Sequence, residues 1–391
     1  MEQCLHSVQK AIEGISAQII VVDNASADGT AAYIRTIFPG VLFIESGANN
    51  GFARACNIGL EKASGEFVLF LNPDTIVAEN SFEICIDFFK SNSTCGAIGV
   101  KMIDGSGNFL KESKRSFPSP LIAFFKLIGL SAAFPKSELF GRYHLGHLDE
   151  NKDHVVDVLA GAFMMIRKEV LEKVGSFDEA FFMYGEDIDL SYRIQKAGYR
   201  NYYLAQTTII HFKGESTKRE SLKYVRLFYK AMSIFVKKHY SGSKAFLFPI
   251  IIQLAIIIRG FLAAIANLIN TIAKRFFGKK DKRSAAERSR LFFVAKEKEW
   301  EGVELFLTAG LPFNLVGRSD SFMNLETRLA ETKAEHLLFV AGDISYKDII
   351  AQMKLHAGVM KYFHAYKSRS IVCSNDSSSN GQWYTYPYEI S

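Results

Sequence analysis

The chain has 391 residues, 48% of them hydrophobic, with 28 glycines, 8 prolines and a formal net charge of +6. This composition excludes a disordered protein, and the length exceeds one average domain, so a large domain with an additional unit is expected. The charge excess is small and local, which points to a surface contact and not to wholesale polyanion binding. The five cysteines, Cys4, Cys56, Cys85, Cys95 and Cys373, are odd in number, scattered and without a C-x-x-C pair. A disulfide scaffold is therefore not expected, and a reducing compartment is. No basic-then-apolar leader opens the sequence.

Residues 1–15 carry helical spacing, with Leu5, Val8 and Ile12 on one face, and 19–22 read as a buried strand ending at Asp23 and Asn24. The chain thus opens on a helix, without the strand that normally precedes it in an α/β nucleotide-binding domain. Asp23 stands at a strand's C-terminal edge, placed to accept hydrogen bonds from a base or ribose. Ser26 and Asp28 suit a cap on the helix that follows, which runs to about Ile37. A strand over 41–44 leads to Asn49-Asn50-Gly51-Phe52-Ala53-Arg54, where Asn-Gly makes a turn and Arg54 is expected to reach a diphosphate from the edge that carries Asp74. A G-x-G-x-x-G loop is absent, which disfavours a dinucleotide-binding dehydrogenase.

Five unbroken apolar residues from Phe67 to Leu71 predict a strand buried on both faces of a parallel or mixed sheet, stopped by Asn72-Pro73-Asp74. A carboxylate there, beside an amide, suits Mg²⁺ or Mn²⁺ shared with a phosphate. A helix over 81–90 and a strand over 97–101 follow, then an irregular aromatic stretch over 106–151 that reads as a lid, an acceptor-binding flap or a plain surface loop. A second cluster holds Gly161-Ala162-Phe163 and Tyr184-Gly185-Glu186-Asp187-Ile188-Asp189, with three carboxylates in the first turn of a helix closed by Gly198. Aromatic walls raise the pKa of such a carboxyl and a helix dipole lowers it, so the sign of the shift is open at this stage. The strand 207–210 delivers His211, ahead of a Gly-Ser turn able to offer N–H groups to phosphate.

Taken in order, Val22-Asp23-Asn24-Ala25-Ser26, Asn50-Gly51-Phe52-Ala53, Leu71-Asn72-Pro73-Asp74, Gly161-Ala162-Phe163, Tyr184-Gly185-Glu186-Asp187-x-Asp189 and His211-x-x-Gly214-x-Ser216 resemble the family 2 glycosyltransferases of the GT-A fold, in particular their rhamnosyltransferase-like branch. The match covers roughly half the chain, 19–216, and the family's first strand is not in it. The resemblance implies a Rossmann-like mixed α/β sheet of the nucleotide-diphospho-sugar transferase type. It implies an inverting, metal-dependent hexosyl transfer from a nucleotide-diphosphate donor to a glycan or lipid-linked acceptor of surface polysaccharide synthesis, with rhamnose resting on the branch alone. It places Asp187 as catalytic base with Glu186 beside it, and Asp74 and His211 at a Mg²⁺ or Mn²⁺ ion. Asp23, Asn24, Ser26, Asn50, Arg54 and Asn72 fall on the donor side, and Gly161, Ala162, Tyr184 and Asp189 on the acceptor side. A catalytically weak nucleotide-sugar-binding or scaffold protein of a polysaccharide assembly complex is the rival reading.

Beyond this domain (1–218), a basic helical region is expected over 219–245. An apolar run over 246–273 follows, long enough to span a bilayer but interrupted by Arg259. Spanning, interfacial and re-entrant readings stand side by side. The basic segment 274–290 completes a pattern that favours anionic lipid on the cytoplasmic face of a bacterial inner membrane, with peripheral or single-anchor attachment. No nucleic-acid motif accompanies the charge. Residues 291–391 read as a small Rossmann-like α/β unit, with strands over 291–295, 313–316, 336–340 and 370–373 and helices over 323–333 and 344–356.

Overall fold

The computed structural model describes residues 1–212, 222–240, 289–308, 313–356, 358–373 and 383–385. The apolar run 246–273 and the basic segment up to 288 lie outside them. Among the described residues no helix is long and apolar enough to cross a membrane.

The chain begins with α1 (Glu2–Ala11), β1 (Ile20–Asp23), α2 (Thr30–Ile37), β2 (Leu42–Glu45) and α3 (Phe52–Leu60). β1 and β2 pair in parallel, Ile20 opposite Leu42 and Asp23 opposite Glu45, as a two-stranded sheet. Next come β3 (Phe67–Leu71), β4 (Thr75–Ile76), α4 (Ser81–Ser91) and β5 (Cys95–Ile103). The stretch expected to be irregular contains α5 (Pro120–Leu127) and α6 (Leu130–Ala133), and is followed by β6 (His154–Val156) and β7 (Phe163–Arg167). α5 starts where Ser119 caps it, its hydroxyl accepting from the Ile122 N–H, with Pro120 preset for the first turn. Then follow α7 (Lys168–Val174), α8 (Glu186–Lys196), β8 (Arg200–His211) and α9 (Leu222–His239).

The main sheet runs β3-β7-β5-β8-β4, with β6 also on β8. Only β5 and β8 are parallel; the β3–β7, β5–β7, β4–β8 and β6–β8 pairs are antiparallel. The strand Phe67–Leu71 has the expected bounds but not the expected surroundings. It lies at the end of its sheet, and its burial alternates, with Val68 and Phe70 buried and Phe67, Leu69 and Leu71 half-buried. A run of one-letter hydrophobicity cannot tell a two-sided burial from an edge strand whose second face is only partly covered.

The last third forms β9 (Ser289–Val294), α10 (Trp300–Thr308), β10 (Phe313–Ser319), α11 (Leu325–Thr332), β11 (His336–Ala341), α12 (Tyr346–Met353), β12 (Met360–Ala365), β13 (Ser370–Cys373) and β14 (Trp383–Thr385). Its sheet is ordered β10-β9-β11-β12-β13-β14, parallel through β12 and antiparallel after it. The unit starts at Ser289, inside the segment expected to be a basic linker. β12 has no counterpart in the sequence reading because Lys361 and His364 interrupt its apolar pattern, yet both side chains are buried.

The unit is not a loose appendage. Ile76, Ile103, Ile210 and Phe212 of the first domain share one core with Phe292, Phe339, Ile349 and Phe363 of the second. The Glu79 carboxylate accepts from the N–H groups of Tyr346 (2.6 Å) and Lys347 (2.9 Å) at the start of α12, where a helix terminus leaves donors free. The Gln3 side-chain amide donates to Ser368 Oγ (2.6 Å) and accepts from the Ala365 N–H (2.6 Å). α1 is therefore clamped between the two sheets.

Candidate active site

α1 also supports the first half of the site. The Cys4 thiol donates to the Asn72 carbonyl (3.7 Å), and Ser7 Oγ accepts from the Val77 N–H (3.2 Å), so the turn between β3 and β4 is held from below. The Asn72 N–H donates to the Ala162 carbonyl (3.0 Å), one step beyond the β3–β7 ladder, and Thr75 Oγ1 closes the turn on the Asn72 carbonyl (2.8 Å). β4 then pairs with the end of β8, Thr75 opposite His211, and the Phe212 N–H donates to the Asp74 carbonyl (2.9 Å). Two strand ends distant in sequence thus bring Asp74 Oδ1 and His211 Nε2 to 3.3 Å, with Asn72 Nδ2 3.4 Å from the same ring nitrogen.

Burial pushes the Asp74 carboxyl up, but the adjacent His211 and local hydrogen bonding more than offset it, and the group lies below its ordinary value. Asp74 Oδ1 is buried and faces His211 Nε2, and His211 Nδ1 is buried without a hydrogen-bond partner among the described residues. An ionised carboxylate beside an imidazole is a donor pair that would suit a divalent cation, which would supply positive charge to a bound phosphate. Among the described residues no third His, Cys, Asp or Glu joins them.

The loops expected to meet the nucleotide form one network. Asp23 is buried, and its Oδ2 accepts from the Ser26 N–H (3.0 Å). Asn24 is the hub: Oδ1 accepts from the Asn50 N–H (2.9 Å), and Nδ2 donates to Asn49 Oδ1 (3.1 Å) and to the Gly51 carbonyl (3.3 Å). Gly51 has φ +85°, and a Cβ there would sit 2.4 Å from the Phe182 carbonyl, which accepts from the Phe52 N–H at 3.0 Å. Only glycine permits this docking of the donor loop on the aromatic segment. Ser26 and Asp28 do not cap α2 by side chain, since Gly29 occupies the cap; Asp28 accepts instead from Thr30 N–H and Oγ1. Arg54 is exposed and pairs with Glu179 Oε2 at 3.9 Å.

The second half of the site is the start of α8, entered through Tyr184 (φ +68°) and Gly185 (φ +88°). Asp187 Oδ2 accepts from Arg115 Nη2 (2.5 Å) and from the Gly161 N–H (3.2 Å), and its Oδ1 accepts from the Ile188 N–H (2.8 Å). Arg115 Nη2 also donates to the Leu159 carbonyl (2.7 Å). Gly161 and Ala162 therefore join the two halves, one donating to Asp187 and the other accepting from Asn72. Arg115 was not singled out by the sequence. A Lys-Arg pair ahead of a proline-rich stretch looks like a solvated surface, and only the fold shows both side chains buried.

Glu186 is buried with Oε2 unpartnered among the described residues. Desolvation first, and the neighbouring Asp187 second, push its carboxyl up to about 8. Of the two adjacent carboxyls, Asp187 faces a guanidinium and Glu186 keeps its proton at neutral pH. The unfolded chain releases that proton near 4.5 and the folded chain near 8, so the folded state binds more protons in between. Stability is full below the lower value and falls as pH rises through the upper. Glu186→Gln is therefore expected to lessen the drop in Tm between about pH 6 and about pH 9, read by circular dichroism melts; an unchanged drop would mean that Glu186 is ionised throughout.

Asp189, expected on the acceptor side, is fully buried. Its Oδ2 accepts from Arg193 Nε (2.7 Å), and its Oδ1 meets His239 Nε2 (2.6 Å) and Lys238 Nζ (2.9 Å). Burial pushes this carboxyl up, but His239 and the two cations more than offset it, leaving it below its ordinary value. Oδ1 ties α8 to α9 and Oδ2 holds Arg193 within α8, so Asp189 fixes the helix that presents Asp187.

A mixed α/β sheet thus brings Asp74 and His211 to one side of the 161–162 turn and Asp187, held by Arg115, to the other. The family model for glycosyl transferase family 2 matches residues 1–175. The rhamnosyltransferase WbbL of Escherichia coli K12 is 31% identical over 219 residues, 52% of this chain and 78% of that protein. The chain belongs to glycosyl transferase family 2. It is also 28% identical over 253 residues to the N-acetylglucosaminyl-diphospho-decaprenol L-rhamnosyltransferase of Mycobacterium tuberculosis, covering 62% of this chain and 81% of that one. The mannosyltransferase PcManGT from Pyrobaculum calidifontis, solved with GDP-Man and Mn²⁺, shares 16% identity over 71% of this chain and 84% of its own, at a TM-score of 0.37, too weak a likeness to argue from.

Proposed function

We propose that this chain is an inverting glycosyltransferase of the GT-A type, dependent on a divalent cation. In this reading it moves a hexose, with rhamnose the first candidate, from a nucleotide diphosphate to a lipid-linked glycan on the cytoplasmic face of a bacterial membrane. The observation that carries the reading is the turn at 161–162, which holds Asp187 on one side and the Asn72-Pro73-Asp74 turn on the other, so a donor sugar between them meets both. The names of the two rhamnosyltransferase relatives support the sugar, and the decaprenol in one of them supports the acceptor class.

The network around Asn24 orders the nucleotide loops, and Asp23 offers Oδ1 to the nucleoside. A divalent cation on Asp74 and His211 supplies positive charge to the departing diphosphate. Asp187 takes the proton of the acceptor hydroxyl as that oxygen bonds to the anomeric carbon. The bond from that carbon to the diphosphate breaks, and the electron pair leaves with the nucleotide. One displacement, with no covalent sugar on the enzyme, inverts the anomeric configuration. Calorimetry across a panel of nucleotide sugars, with Mn²⁺, Mg²⁺ or EDTA, is expected to show one nucleotide-activated sugar bound and that binding weakened by EDTA. Equal binding in EDTA would remove the cation from the reading, and no binding of any sugar nucleotide would remove the transferase.

A further inference from the structure

Between Arg115 and β6 the chain presents apolar side chains that the core of the described residues does not cover. Leu121, Phe134 and Leu139 are 53%, 53% and 52% exposed, and none of the described side chains of α5 or α6 is fully buried. Phe134 is nonetheless held within a cluster of rings on the flap. The Phe125 and Phe140 rings meet edge to face at 4.9 Å, and Phe134 and Phe140 lie 5.7 Å apart. Three large apolar side chains left in water on one small flap form a surface awaiting an apolar partner.

The partner's chemistry is set by charge and position. Lys126, Lys136 and Arg142 lie along the flap against a single acid, Glu138, and Lys237 is exposed in the last turn of α9. The two elements touch: Tyr240 Oη donates to the Pro118 carbonyl (3.1 Å), and Phe117 stacks on Phe235 at 6.4 Å. Pro118 at the start of the flap thus contacts Tyr240, which in the sequence precedes by six positions the apolar run 246–273 with its flanking basic residues. Apolar tips rimmed by long cationic side chains match the boundary between anionic headgroups and acyl chains.

We propose that the α5–α6 flap docks into the headgroup boundary of an anionic bilayer through Leu121, Phe134 and Leu139. The flap starts shortly after Arg115, which grips Asp187, so docking brings the catalytic carboxylate to the level of polar headgroups at the membrane surface. That consequence for catalysis rests on the lipid-linked acceptor proposed above; the docking itself does not.

The test uses the full chain carrying Phe134→Trp, with the parent chain measured in parallel to subtract Trp300 and Trp383. Vesicles of phosphatidylcholine and phosphatidylglycerol brominated near the glycerol end of the acyl chains are expected to blue-shift the new emission and quench it about 2-fold or more, the signature of interfacial depth. Leu121→Ser, Phe134→Ser and Leu139→Ser combined are expected to weaken vesicle binding at least ~10-fold, with the fold intact by circular dichroism and transfer to a water-soluble acceptor unchanged. Emission of the introduced indole that stays unquenched, with or without sedimentation of the chain on vesicles, overturns the proposal. So does an emission shift that follows protein concentration without lipid, which would assign the flap to a second copy. Failure of the quenching with transfer intact sinks the docking alone, and loss of transfer in the parent chain sinks the enzymatic reading alone.

Discussion

Asp187→Asn is expected to lower kcat by roughly 10²–10⁴-fold, the contribution of a positioned general base, while the donor Kd stays within about 3-fold of the parent. The amide keeps an oxygen for Arg115 and for the Gly161 N–H, so the turn that joins the halves of the site has a partner at the same place. It removes the negative charge opposite a buried guanidinium, and breaking such a pair costs about 3–5 kcal/mol of stability. A melt of the variant must therefore accompany the kinetics. A folded variant that binds donor and does not transfer identifies Asp187 as the base. A folded variant that loses donor binding together with transfer would make Asp187 an anchor of the 159–162 turn.

Asp74→Ala is expected to act on the other side of the turn. It should weaken donor binding in Mn²⁺ by about 10–100-fold and leave the weaker binding in EDTA nearly unchanged, because the lost carboxylate works only through the cation. Asp74 is also the partner of His211, and the two residues tie β4 to the end of β8 through backbone bonds that the substitution leaves intact. Cation dependence that survives in Asp74→Ala would take the residue out of the metal site and leave its pairing with His211 as a purely structural contact.

The elements that carry the candidate residues could be read from the chain alone. The run Phe67–Leu71 ends where Asn72-Pro73 ends it, since proline has no N–H to extend the ladder, and the strand has those bounds. The start of α8 was legible from Gly185 and the three carboxylates behind it. What each carboxylate does was not legible. Glu186, Asp187 and Asp189 stand in one turn, yet one is desolvated and protonated, one faces Arg115, and one is locked between three basic side chains from two helices. Those differences come from residues far away in sequence. Arg115 lies 72 positions from Asp187, and His239 lies 50 from Asp189.

The fold was legible to a similar limit. Alternation of apolar runs and helical periods gave an α/β protein with a second α/β unit. It did not reveal that Phe67–Leu71 lies at a sheet's end, that Arg54 turns to Glu179, or that the second unit shares a core with the first. The strand β12 was hidden because Lys361 and His364, polar by composition, are buried by the fold; Lys361 Nζ donates to the Ser106 carbonyl (3.0 Å) of the first domain. Burial of that kind depends on partners that local sequence does not display.

The most direct measurement is transfer of a labelled sugar from its nucleotide diphosphate to a polyprenyl-diphosphate-linked glycan, with the anomeric configuration of the product read by NMR. Label is expected in the lipid-extractable product, with the configuration opposite to that of the donor, and Asp187→Asn is expected to form that product at least about 100-fold more slowly. Retained configuration, or donor that binds but yields only free sugar with every acceptor, would contradict the proposed inverting transfer.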